Sequence, residues 1–392
     1  MNSPPQHHGV RTVTLRAGPR RRATLMRVVI APDSFKGSAT AAAVAAALAD
    51  GWRSVRPDDE LLLAPMADGG EGTLDTVAAA SARSTRMPVV VTGPQGRSVP
   101  AEWLLLEEPD GTRTGLVELA LCSGLELLDE FAPDTAHTLG FGQAISAALK
   151  HGVDRLMLAL GGSASSDGGA GALVALGARL RDAAGQPVPL GNAGLARITA
   201  VDWSSLVPLP ADGAVLLSDV DNPLLGERGA IAVFGAQKGV RTDRADAAES
   251  ALARFADVLR DNPGRALPEM PGAGAAGGTG FGMLAWGATM HSGARTIAAT
   301  IGLPASIQGA DLVITGEGRF DGQSAGGKAP VEVVRLARGS EVRCALVAGR
   351  IDAPPTGFGS AVSLTELAGS SVASRARPLH WLREAGRRLA LE

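Results

Sequence analysis

What most restricts this chain is a unit that recurs along it: a short apolar run, a polar loop rich in Gly, Ser and Asp, then a helical stretch. Residues 28–31 (VVIA), 61–64 (LLLA), 156–160 (LMLAL), 215–218 (VLLS), 311–315 (DLVIT) and 344–348 (CALVA) are such runs. Runs of four or five residues are too short for helices and suit strands buried on both faces. Each is stopped by Pro32, Pro65, Gly161, Asp219, Gly316 or Gly349. Helical patterns follow, as at 38–53 with Ser38 or Thr40 as N-cap, from about Thr73, and at 331–338 behind Pro330. Strands alternating with helices predict an α/β fold built on a parallel, doubly wound sheet.

At 392 residues the chain is too long for one comfortable core, so two domains are expected. Composition breaks at 92–96 (TGPQG) and in the Pro/Gly-rich stretch 263–282. The reading is a parallel α/β domain of residues 26–90 and 291–392, split by an inserted α/β domain of residues 91–290. Residues 1–25 carry Arg11, Arg16, Arg20, Arg21 and Arg22 and no acid, and they lack the apolar segment of a secretory signal. They read as a disordered extension or a start assigned too far upstream, since Met26 opens the first strand.

Charge excludes several classes. The net charge is −3, and removing those five arginines from the 37 basic residues leaves 32 against 40 acids. An acidic body has no field for nucleic acid or an anionic membrane. Cys122 and Cys344 sit in apolar runs without a CxxC pattern, which suits free thiols in a reducing cytoplasm. No run of 18 apolar residues is present. His137, His151, His291 and His380 lack metal-ligand spacing, and no Gly-x-Ser-x-Gly elbow supports hydrolysis. Oligomeric state is left open, a homo-oligomer included.

Five polar loops stand directly behind apolar runs: 32–37 (PDSFKG), 66–72 (MADGGEG), 161–171 (GGSASSDGGAG), 218–223 (SDVDNP) and 316–328 (GEGRFDGQSAGGK). One such loop is ordinary turn chemistry. Five of them predict a shared cleft, because ligands of open α/β sheets sit beyond the carboxyl ends of the strands. Their residue types suit phosphoryl transfer, which needs charge neutralisation, a metal and an aligned acceptor hydroxyl. Backbone N–H groups of Gly/Ser loops cradle phosphate, and Asp or Glu holds Mg²⁺. Asp68 and Glu71 also suit N-caps, Asp167 the cap of a helix near Ala170, Asp221 an Asx-turn, and Glu317, Arg319 and Asp321 a local salt bridge.

Two short motifs are weaker. Residues 322–328 fit G-x-x-x-x-G-K, but Ala329 stands where a P-loop needs Ser or Thr. Gly272, Gly274 and Gly277 fit the dinucleotide pattern, yet no strand precedes them, so a packing or lid loop is the plainer reading.

Taken together, residues 28–37 (VVIAPDSFKG), 65–73 (PMADGGEGT), 160–171 (LGGSASSDGGAG), 221–239 (DNPLLGERGAIAVFGAQKG), 272–278 (GAGAAGG) and 310–328 (ADLVITGEGRFDGQSAGGK) resemble the signatures of type I glycerate kinases. Ala236 replaces a usual Pro, and Ser165-Ser166 a usual Thr-Asn. The resemblance covers nearly the whole chain from Met26. It implies Mg²⁺-dependent transfer of the ATP γ-phosphate to D-glycerate, at the 2-hydroxyl in this family. It also implies two α/β domains with the active-site cleft between them, the first flavodoxin/Rossmann-like and split by the second.

The residue roles expected on that basis are as follows. Lys36, Arg319 and Ser34 hold the glycerate, and Asp68 or Asp321 orients or deprotonates its hydroxyl. Gly161, Gly162, Ser163, Ser165, Asp167, Gly168, Lys238 and Lys328 receive the nucleotide phosphates, and Asp219, Asp221 and Glu317 hold Mg²⁺. The competing readings are a kinase of another small hydroxy acid such as tartronate, a non-catalytic hydroxy-acid-binding module, and, third, an NAD-dependent dehydrogenase.

Overall fold

A computed structural model describes residues 25–322 and 328–392. Its strands are β1 (Arg27–Ile30), β2 (Glu60–Leu63), β3 (Ser84–Thr92), β4 (Ser98–Glu107), β5 (Arg113–Glu118), β6 (Arg155–Ala159), β7 (Arg179–Asp182), β8 (Ile198–Asp202), β9 (Ala214–Leu217), β10 (Thr289–His291), β11 (Leu312–Phe320), β12 (Arg343–Ile351) and β13 (Ser360–Ser363). They form a five-stranded sheet ordered β13-β12-β11-β1-β2 and a six-stranded sheet ordered β10-β9-β6-β5-β4-β3, with β7 and β8 as a separate pair.

The first sheet is parallel throughout. It takes strands from both ends of the chain, as an interrupted doubly wound sheet requires. Its core strands are buried: Val28, Val29, Ile30, Val313 and Ile314 have no exposure. The order reverses between β1 and β11, since β2 lies to one side and β12 and β13 to the other. At such a reversal the loops diverge and leave a crevice over the strand ends. The second sheet is mixed, with β3, β4 and β5 antiparallel and β5, β6, β9 and β10 parallel. Its core is a separate cluster that includes Phe141, Leu158, Leu216 and Phe281.

Local chemistry sets the helix ends. Thr40 Oγ1 accepts from the Ala43 N–H at 3.3 Å and caps helix Ala41–Arg53, so the cap is Thr40 and not Ser38. Pro330 stands in the first turn of helix Ala329–Gly339.

One expectation is corrected. Residues 316–320, read as loop, continue β11 to Phe320, paired with β12 through Gly316–Val347 and Phe320–Ile351. A Cβ on Gly316 would lie 2.1 Å from the Val347 carbonyl oxygen, so this glycine permits strand contact and not a turn. The stretch 263–282, read as a composition break, runs into helix Ala275–Trp286, nearly all of it buried. Its glycines serve close packing.

Candidate active site

Two cavities, of about 700 Å³ and about 540 Å³, open at the carboxyl ends of the strands. The first is lined by the loops after β1 and β2 and by the end of β11, with Asp33, Ser34, Lys36, Glu71, Glu317 and Arg319. The second is lined by the loops after β6 and β9, with Ser163, Asp219, Asp221 and Lys238 beside apolar Leu125, Val233 and Phe234. Lys36, Asp68, Gly70, Gly161, Gly162 and Lys328 belong to both. These residues form a neck at which the cavities meet. The five loops therefore do converge.

The neck is narrow because glycine allows it. A Cβ on Gly161 would lie 2.3 Å from the Gly70 Cα, so any side chain there would push the β2 and β6 loops apart. The Gly161 N–H donates to the Gly69 carbonyl at 3.0 Å and ties them. Asp68 enters between them, its carboxylate accepting from the Gly70 N–H at 3.0 Å.

Charge is concentrated at the neck. Lys36 Nζ lies 3.3 Å from Glu71 Oε1. Desolvation in the cavity floor holds the Asp33 carboxyl well above its ordinary range, and the charges of Asp68 and Glu317 add to this; the Ser34 N–H and Lys328 oppose it. Asp219 is raised to about 6, chiefly by burial and then by the charge of Asp68. Its oxygens accept from Ser292 Oγ at 2.8 Å and the Ala294 N–H at 3.0 Å, so it also holds the start of helix Gly293–Thr300.

Several predicted residues lie elsewhere. Asp167 is fully buried and lines neither cavity. It accepts from the Thr138 N–H and hydroxyl, Ser165 Oγ, and the N–H groups of Gly169 and Gly171, and so fixes the start of helix Ala170–Ala175. Ser165 and Gly168 are buried with it, because the second half of this loop folds back against the Gly277–Gly278 segment. Only Gly161, Gly162 and Ser163 of that loop face a cavity.

Lys238 is buried at the floor of the second cavity, and its Nζ donates to the Ser165 carbonyl at 2.6 Å. Burial lowers its ammonium to about 7 against the opposing charge of Asp167. Asp321 lines neither cavity and lies 3.4 Å from Arg319, which also pairs with Asp352 at 2.7 Å. The local salt bridge is therefore present. Of the residues 322–328, those at 323–327 lie outside the described residues. Gly277 packs against the Ser165 carbonyl and Lys238, and with Ala276 it also lines the second cavity.

The three metal candidates do not make one cage. Among the described residues no group of three His, Cys, Asp or Glu could hold an ion. Glu317 projects from β11 into the first cavity, whereas Asp219 follows β9 and faces the second. Asp221 pairs with Arg228 at 2.8 Å in an exposed position.

Sequence reasoning passed over Asp33, Arg350 and Arg375, all on the first cavity. Asp33 shares the PDSFKG loop with Lys36, and its position directly behind the first strand was the signal. Arg375 carried no signal, because an arginine in short helix Ser371–Ala376 looks like any solvated charge. Neither Asp68 nor Glu71 caps the next helix: Glu118 of β5 does, accepting from the Gly72 N–H at 3.0 Å and the Leu74 N–H at 2.9 Å.

The chain is similar to known proteins over most of its length. The glycerate kinase family matches residues 28–391. A Bacillus subtilis (strain 168) protein named glycerate kinase is 40% identical over 330 residues, covering 83% of this chain and 85% of its own. An Escherichia coli K12 protein named glycerate 2-kinase is 39% identical over 317 residues, covering 80% and 82%. A crystal structure from Salmonella typhimurium LT2, of a protein assigned as glycerate kinase 2, superposes with a TM-score of 0.77 at 35% identity, covering 94% of this chain and 98% of that one.

Proposed function

The chain belongs to the glycerate kinase family, and from that premise we propose that it transfers the γ-phosphoryl group of ATP to the 2-hydroxyl of D-glycerate, releasing ADP and 2-phosphoglycerate. The observation that carries the reading is the meeting of two unlike cavities at one neck. The second suits a nucleotide: its apolar wall accommodates a base, and the Gly161-Gly162-Ser163 backbone stands where phosphates would lie. The first is rich in charged side chains and suits a small acid, with Ser34, Lys36 and Arg319 for its carboxylate. Lys328, shared by both, would offset charge on the phosphoryl group in transit.

Asp68, which lines both cavities, would accept the hydroxyl proton. The new bond joins the glycerate oxygen to the γ-phosphorus as the bond to the β-phosphate oxygen breaks. Asp219 suits Mg²⁺, because a desolvated carboxylate facing the nucleotide cavity and repelled by Asp68 gains from a cation. The metal, bound there with phosphate oxygens, would neutralise charge on the nucleotide. We take the domain boundaries to fall just before β3 and just after β10, so that residues 26–83 and 292–392 form one domain and 84–291 the other, with the cleft between them. A reducing, ATP-rich cytoplasm fits this chemistry and the buried thiols of Cys122 and Cys344.

A second reading has one observation in its favour. Arg350 and Arg375 extend the first cavity beyond the needs of a single carboxylate, which would suit a diacid such as tartronate. The test is ADP release from ATP and Mg²⁺ with D-glycerate, L-glycerate, tartronate or no acceptor, and phosphorus NMR of any product. Turnover confined to D-glycerate with a 2-phosphate product supports the proposal. Preference for tartronate favours the second reading. Silence with all acceptors, from folded protein that still binds glycerate, leaves a binding module.

A further inference from the structure

The chain passes from the first sheet to the second through β2, the loop carrying Asp68, and helix Thr73–Ala80. That helix begins at Gly72, which has φ 84° and no side chain with which to cap it. Its free N–H groups would ordinarily be met by a local Ser, Thr, Asp or Asn. Here they are met from far along the chain. Glu118, the last residue of β5, accepts from the Gly72 N–H at 3.0 Å through one oxygen and from the Leu74 N–H at 2.9 Å through the other. Glu118 is 2% exposed, so water does not replace it readily.

We propose that Glu118 is a positioning residue for phosphoryl transfer: it pins the start of this helix to the second sheet and thereby holds Asp68 at the neck between the cavities. Asp68 is tied within its own loop by the Gly70 N–H, and the Thr73 hydroxyl donates to the Gly70 carbonyl at 2.7 Å. The loop is thus internally braced, and Glu118 joins the brace to the body of the protein. A carboxylate has two acceptor oxygens for two donors, a match that no neutral side chain of this size reproduces. Burial raises the Glu118 carboxyl to about 7 against the lowering effect of the Leu74 and Gly72 N–H groups, and in its ionised form its charge also suits the positive end of the helix.

The kinetic arm of the test rests on the glycerate kinase reading; the exchange arm does not. Glu118→Gln keeps one acceptor and turns an amide N–H towards the second donor, while Glu118→Ala removes both. Steady-state kinetics with ATP and D-glycerate should show kcat down by about tenfold or more in Glu118→Ala with KM for ATP little changed. Glu118→Gln should fall between it and the wild type. Hydrogen exchange should show faster exchange at Gly72 and Leu74 and unchanged exchange in β6 and β9. If Glu118→Ala does not fold, Glu118→Gln carries both arms. Wild-type kcat per folded molecule, with unaltered exchange at Gly72 and Leu74, would overturn the proposal. If the wild type itself turns over no acceptor, the glycerate reading has failed, and the exchange arm decides the role of Glu118 alone.

Discussion

A Cβ on Gly293 would lie 1.9 Å from the carbonyl oxygen of Asp68. The two crossings between the sheets, one through the Asp68 loop and one through helix Gly293–Thr300, therefore touch at a point that only glycine leaves open. Asp219 ties the same place from beneath by holding Ser292 and Ala294.

Gly293→Ala tests this contact. Alanine is the better helix former by roughly 1 kcal/mol, so a site free of crowding would gain stability. Overpacking against the Asp68 backbone should instead cost about 1–3 kcal/mol and lower kcat as Asp68 is displaced. Urea unfolding and steady-state kinetics check both. A more stable variant with full activity would show that the contact yields without consequence.

Asp68 and Asp321 were the two candidates for the acceptor hydroxyl, and their positions now separate them. Asp68→Asn should lower kcat by on the order of 100-fold and stability by no more than about 1 kcal/mol. Asp321→Asn, away from both cavities, should lower kcat less than about threefold. Kinetics on the two variants decide the matter, and the reverse ranking would move the role to Asp321.

Lys238 makes a pH prediction. Its ammonium is lowered to about 7 from an ordinary value of 10.5. Between those values the unfolded chain holds a proton that the folded protein has released, so this residue makes stability rise with pH. The contribution is complete above the ordinary value and lost as pH falls through about 7. Lys238→Met should abolish this dependence, on the order of a few kcal/mol across the window. Urea midpoints of both proteins from about pH 7 to about pH 10 measure it. Parallel pH curves would mean that Lys238 keeps its charge in the folded state.

Much of the site could be read from the chain itself. Lys36, Asp68, Gly161, Gly162 and Lys328 all belong to Gly-rich polar loops behind apolar runs, and all line both cavities. Ser165 and Asp167 were picked out by the same pattern, yet they are buried. A Gly/Ser/Asp loop that binds its own backbone has the same composition as one that binds phosphate, so no local signal divides them. The longer reach of β11 was hidden similarly, because Gly316 and Gly318 resemble turn residues until β12 lies beside them.

By itself the sequence determined the alternation of strand, polar loop and helix, and with it the α/β class. Strand length, apolar patterning and stop residues are local properties that act before any distant contact forms. Its loop motifs also determined the family resemblance. Tertiary structure alone decided which loops meet. Asp219 and Glu317 face different cavities although both stand at strand ends, and Glu118 caps a helix that begins 46 residues before it. The physical reason is that sheet order sets which strand ends become neighbours, and sheet order depends on pairings between residues hundreds of positions apart, such as β1 with β11.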